Sequence, residues 1–97
     1  MTKLTDEEID AALSGLPGWS LDGAAIGKEF TFKGFTAAVS FVGRLVEPAN
    51  AAGHHPDLEI HFNRVVVSLT THDEGGVTDR DLVLARTIES LVEPPEA

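Results

Sequence analysis

The chain has 97 residues, 42% hydrophobic and 24% charged, with a formal net charge of −9 and no cysteine. This composition fits one globular domain spanning 1–97, excludes disulfides and thiolate metal sites, and argues against direct nucleic-acid binding, because the seven Lys and Arg are scattered. No apolar run is long enough to span a bilayer, and the opening MTKLTDEEID lacks the form of a signal peptide, so a cytoplasmic location is expected.

Thr5-Asp6-Glu7-Glu8 reads as a capping box, a hydroxyl cap with Glu three residues on. Ile9, Ala12, Leu13 and Leu16 follow at helical spacing, and Pro17-Gly18 ends that helix. Trp19 to Leu21 forms a short strand, with Asp22-Gly23 as a turn. Ile26, Phe30 and Phe32 mark a second strand. From Phe35 the period becomes helical, with one apolar stripe of Phe35, Ala38, Val39, Val42, Val46 and Ala49 and a second of Phe41 and Leu45. A helix so apolar is expected to pack on its own sheet and on another subunit as well. Pro48 should kink or stop it.

Leu58, Ile60 and Phe62 then alternate with Glu59, His61 and Asn63, and Asn63-Arg64 reads as a tight turn. Val65, Val67 and Leu69 alternate with Val66, Ser68 and Thr70 in a fourth strand. Asp73 to Gly76 is a loop without the surroundings of a phosphate motif. Thr78 caps a last helix, with Asp79 and Asp81 in its first turn and Leu84, Ala85, Ile88, Leu91 and Val92 inward; Glu93-Pro94-Pro95 closes it. The order α-β-β-α-β-β-α predicts an α+β fold, a four-stranded antiparallel sheet with helices packed on one face.

Function is concentrated in His54-His55-Pro56 and Thr71-His72. Imidazole titrates nearest neutrality, so such a cluster points to proton transfer or metal binding. Neighbouring residues in extended chain point opposite ways, so His54 and His55 converge only if they lie in a loop. Taken singly, each histidine reads as a surface or loop residue, His61 above all. The metal reading lacks its spacings, H-E-x-x-H and H-x-x-E, and no metal is expected. Proton transfer asks less: one ring at a leaving oxygen and another group to orient it. Trp19 reads by default as core or interface filler, and Asp81 as a surface acid serving the helix dipole.

With these residues in place, the chain resembles the pterin-4a-carbinolamine dehydratase family. The resemblance is carried by His54-His55-Pro56, Phe62 at the family's aromatic position, Thr70-Thr71-His72, Gly76-Val77-Thr78 and Arg80-Asp81. Gly18-Trp19, Phe30-Thr31-Phe32-Lys33, Phe35, Phe41 and Arg44 extend it upstream, so it covers nearly the whole chain. Three positions depart from the pattern. Asn50 stands where a charged residue is usual, Pro48 lies in the helix before it, and Leu58 replaces the tryptophan of some members.

The resemblance implies a hydro-lyase that turns 4a-hydroxytetrahydropterin, such as the tetrahydrobiopterin derivative, into quinonoid dihydropterin and water, with no metal or organic cofactor. It implies His54, His55 and His72 as catalytic residues, with His54 and His72 exchanging protons and His55 beside the leaving hydroxyl. Asp81 is then expected to orient an imidazole and Trp19 to wall the pterin. Thr70, Thr71 and Asp73 are expected to bind the pterin edge beside the histidines. Asn50 is expected near His54 or His72, where the usual charge would tune them. A homodimer or homotetramer is implied as well. The alternative is an oligomeric interaction or assembly module, since some members bind a transcription factor and some relatives act in protein assembly.

Overall fold

The computed structural model describes residues 2–92. The elements run α1 (Asp6–Leu13), β1 (Ser20–Asp22), β2 (Ala25–Thr31), α2 (Phe35–Ala52), β3 (Asp57–His61), β4 (Arg64–Leu69), a short 3-10 helix (His72–Glu74) and α3 (Asp79–Ser90). The four strands form one antiparallel sheet in the order β1-β2-β4-β3, so the α+β order read from the sequence holds. The expected stop at Glu93-Pro94-Pro95 lies outside the described residues.

Local chemistry sets the element ends. The Thr5 hydroxyl accepts from the Glu8 N–H at 3.1 Å while the Glu8 carboxylate accepts from the Thr5 N–H at 2.9 Å, a reciprocal cap of the kind that contributes about 1 kcal/mol. Leu16, expected on the α1 stripe, is buried from the turn beyond the helix. The sheet's inner face carries Ile26 and Phe30 opposite Leu69 and Val65, all buried. Phe41 of α2 packs on Phe30 and Phe32 with ring centroids 5.0 and 4.9 Å away. Trp19 meets Phe30 edge-on, and its Nε1–H donates to Glu89 of α3 at 2.8 Å. Lys28 pairs with the same carboxylate, tying the sheet to α3.

Three sequence expectations are corrected. Helix α2 does not stop at Pro48; it runs on to Ala52, where Gly53 in the left-handed region ends it. Proline removes a single N–H, and the burial of Leu45 and Ala49 on either side keeps that turn seated. The apolar residues of α2 also group differently. Ala38, Phe41, Leu45 and Ala49 form the buried stripe, whereas Phe35, Val39 and Val46 are exposed. The tight turn sits one residue earlier than expected, at Phe62-Asn63, because His61 pairs with Arg64. Phe62 adopts φ 54, costly for a bulky side chain. Asn63 offsets this by donating its amide to the Phe32 carbonyl at 3.1 Å, while the Phe32 N–H donates to the Asn63 carbonyl at 2.7 Å.

Strand β3 is the sheet edge and is exposed on both faces, so its clean alternation buries little. In α3 the inward residues are Leu82, Leu84, Ala85 and Ile88; Leu91 and Val92 fall past the helix end and are half-buried. Among the described residues no helix is long and apolar enough to cross a membrane.

Candidate active site

The site is assembled where α2 ends, β4 ends and α3 begins. Gly53 takes φ 61, which a side chain would disfavour, and this reversal turns the chain back so that the His54 N–H donates to the Ala49 carbonyl at 3.2 Å. The next residues then diverge. His54 turns into the protein and is buried, whereas His55 stays exposed. Pro56 leads straight into the extended β3.

His54 meets Asp81, whose side chain is fully buried. The imidazole Nε2 lies 2.5 Å from the Asp81 Oδ1. The other carboxylate oxygen, Oδ2, accepts from the Thr71 hydroxyl at 2.8 Å and from the Thr78 N–H at 2.9 Å. The Thr78 hydroxyl lies 2.8 Å from that of Thr71, so with Thr71 donating to Asp81, Thr78 donates to Thr71. Thr78 in turn accepts from the Arg80 N–H at 3.2 Å. Asp81 thus caps α3 and holds His54 at once. With Nε2 engaged by Asp81, the imidazole keeps Nδ1 for other partners. Among the described residues no buried side-chain nitrogen or oxygen lacks a partner, as a buried polar network requires.

His55 and His72 lie in wetter surroundings. The His55 Nε2–H donates to the Asn50 Oδ1 at 2.9 Å, a contact within one turn of the α2 end. Asn50 therefore serves His55, not His54 or His72 as expected, because helix α2 carries it past Pro48 to the outer side of the bend. His72 opens the 3-10 helix and is exposed. Its loop is pinned by paired hydrogen bonds between Thr71 and Gly76, at 3.0 and 3.3 Å.

All three histidines border one cleft of about 270 Å³. Gly53, His54 and His55 form one side and Thr70, Thr71, His72 and Asp73 another. Thr70 has its hydroxyl engaged, donating to the Ala24 carbonyl at 2.6 Å. Trp19, expected to wall the pterin, belongs to the core and does not border this cleft. His61 pairs with Glu59 on the outer face of β3, also away from it. Arg80 was not singled out as a site residue, yet it borders the cleft and donates Nη2–H to the Gly53 carbonyl at 3.0 Å. Its place next to Asp81 in the first turn of α3 was the available signal. Among the described residues, no three His, Asp or Glu side chains are gathered so as to hold a metal ion.

Residues 2–91 match the family described as Pterin 4 alpha carbinolamine dehydratase. The chain belongs to that family. A relative from Picosynechococcus sp. is 54% identical over 90 residues, spanning 93% of this chain and 98% of its own. One from Sulfurisphaera tokodaii is 47% identical over 92 residues, 95% and 99% of the two chains. Both carry the name pterin-4-alpha-carbinolamine dehydratase in provisional form. The crystal structure of a transcriptional coactivator/pterin dehydratase from Brucella melitensis superposes with a TM-score of 0.88 at 39% identity, covering 93% of this chain and 98% of that one. A pterin dehydratase-like RuBisCO assembly factor of the alpha-carboxysome shares the fold, with a TM-score of 0.62 at 16% identity over 75% and 84% of the chains. Membership in the family supports pterin-4a-carbinolamine dehydratase activity.

Proposed function

We propose that the protein dehydrates 4a-hydroxytetrahydropterins by histidine acid–base catalysis in this cleft. The C4a–O bond breaks, the hydroxyl leaves as water after taking a proton, and a ring nitrogen gives up its proton to form the quinonoid dihydropterin. His54 and His72 exchange these protons, and His55 stands beside the leaving hydroxyl. The observation that carries the reading is the buried His54–Asp81 pair at the cleft wall, at 2.5 Å. A fixed carboxylate partner holds the ring and its tautomer, so that one nitrogen stays available for proton transfer. Asp73 and the neighbouring backbone supply hydrogen bonds to the pterin edge, the Thr71 hydroxyl being engaged by Asp81 and Thr78. The reaction needs neither a metal nor an organic cofactor, and the cysteine-free single domain suits a reducing cytoplasm.

The test is an assay with chemically generated 4a-hydroxytetrahydropterin, run with and without a chelator. Acceleration over the spontaneous reaction that survives chelation supports the reading. Activity lost to the chelator and restored by zinc overturns the acid–base mechanism.

One observation favours an added interaction role. Phe35, Val39 and Val46 of α2 and Leu58 and Ile60 of the edge strand β3 are exposed. Phe62 at the hairpin tip is 69% exposed. Apolar side chains beside an unpaired strand edge form a surface for association. We assign it to a homodimer or homotetramer, and sedimentation at micromolar concentration tests this: a species of 10.3 kDa alone would overturn it.

A further inference from the structure

A second recess of about 270 Å³ lies beside the histidine cleft, between the last turns of α2 and the first turns of α3. Pro48 and Ala52, one turn apart on α2, face Val83 and Leu84 of α3 across it. His54 and Arg80 border this recess and the cleft alike. The hydrogen bond from Arg80 to the Gly53 carbonyl holds the guanidinium at the boundary of the two.

The chemistry changes across that boundary. The cleft presents imidazoles and the Asp73 carboxylate, the hydroxyls of Thr70 and Thr71 being engaged within the protein. The recess presents aliphatic carbon. The hydroxyl on its wall, that of Thr87, donates back to the Val83 carbonyl at 3.1 Å and is engaged within its own helix. A hydroxylated ligand group entering here would give up water with few partners in return, whereas an alkyl group gains from leaving water. The recess is open, since Val83 is 58% exposed at its rim.

We propose that this recess is a specificity subsite for the substituent on the saturated ring of the reduced pterin, and that it selects substrates whose substituent is apolar. The inference rests on the dehydratase reading above. The polar edge of a pterin belongs with the imidazoles and the Asp73 carboxylate of the cleft. The part of the molecule left to pass His54 and Arg80 is the substituent, and an alkyl group matches the Pro48, Ala52, Val83 and Leu84 walls beyond them better than a hydroxylated one.

The experiment compares initial rates with two chemically generated substrates, the 4a-hydroxy derivatives of 6,7-dimethyltetrahydropterin and of a tetrahydropterin with a polyhydroxylated side chain. The parent should show a KM on the order of tenfold lower for the dimethyl substrate, at comparable kcat, the discrimination typical of a buried methyl group. Val83→Asp puts a charge on the exposed rim, and Ala52→Leu fills the recess from an exposed helix position. Each should raise KM for the dimethyl substrate and erase the preference, with kcat kept, while unfolding midpoints confirm that both variants fold. Equal KM values in the parent, a preference for the hydroxylated substrate, or a preference that survives both variants overturns the subsite. Turnover without preference overturns the subsite alone; no turnover of either substrate overturns the dehydratase reading together with it.

Discussion

His54 and His55 are neighbours in the chain and opposites in the structure. His54 is buried against a carboxylate that is itself held by two further donors, whereas His55 is exposed and leans on a single amide of the same helix end. A pair of identical side chains thus divides into a ring fixed by the fold and a ring left adjustable. The fixed ring depends on contacts far away in sequence, and the adjustable one on its own helix. Damage to the first should therefore spread into stability as well as chemistry, and damage to the second should stay local.

The largest effect expected on the open side of the cleft is on rate. His72→Ala should lower dehydratase activity by about 10²–10⁴-fold, the usual contribution of one acid–base group, with the unfolding midpoint nearly unchanged because His72 is exposed. Matched kinetic and denaturation measurements check both halves, and an unchanged rate would remove His72 from the chemistry. Asp81→Ala reaches the inner side. It removes the cap of α3 and leaves His54, Thr71 and the Thr78 N–H facing a void, so it should cost about 3 kcal/mol in reversible urea unfolding, and activity should fall with it. A loss below about 0.5 kcal/mol would mean that the network does not hold the site together.

A finer probe is Thr71→Val, which keeps the shape but deletes one donor to Asp81 and one link to Thr78. It should cost about 1–2 kcal/mol, read from the same urea midpoints. Asn50→Asp gives the smallest effect. It exchanges an amide acceptor for a charged one on His55 alone, so kcat/KM should change by only a few-fold and the unfolding midpoint hardly at all. A change as large as that of His72→Ala would show that His55, not His54, is the ring on which the chemistry turns.

The sequence disclosed the elements because their signals are local. The Thr5–Glu8 capping box, the Thr78 cap of α3 and the strand alternation of Val65, Val67 and Leu69 each act within a few residues. It mispredicted wherever the answer depended on partners. A local window around Pro48 predicts a kink or a stop, and the helix does not stop there because the core seats Leu45 and Ala49. The stripes of α2 were misgrouped because apolar residues cover most of its circumference, and only the sheet decides which of them are buried. Within the site, most residues that line the cleft are legible in advance, and resemblance has Asp81 orienting an imidazole without saying which one. Asp81 looks like any acid of a first helical turn until the α2 end is folded onto it. Asn50 was assigned to the wrong histidines because the left-handed Gly53 decides on which side of the bend each ring falls. Trp19 was drawn toward the pterin by resemblance, whereas its contacts with Phe30 and Glu89 place it in the core.

The most direct measurement of the central contrast is a comparison of His54→Gln and His55→Gln in the 4a-hydroxytetrahydropterin assay, at matched temperature and protein concentration. Each keeps a polar side chain of similar reach. The account predicts that His54→Gln falls toward the spontaneous rate while His55→Gln retains a substantial share of parental kcat. Full activity in His54→Gln, or a deeper loss in His55→Gln than in His54→Gln, would contradict it.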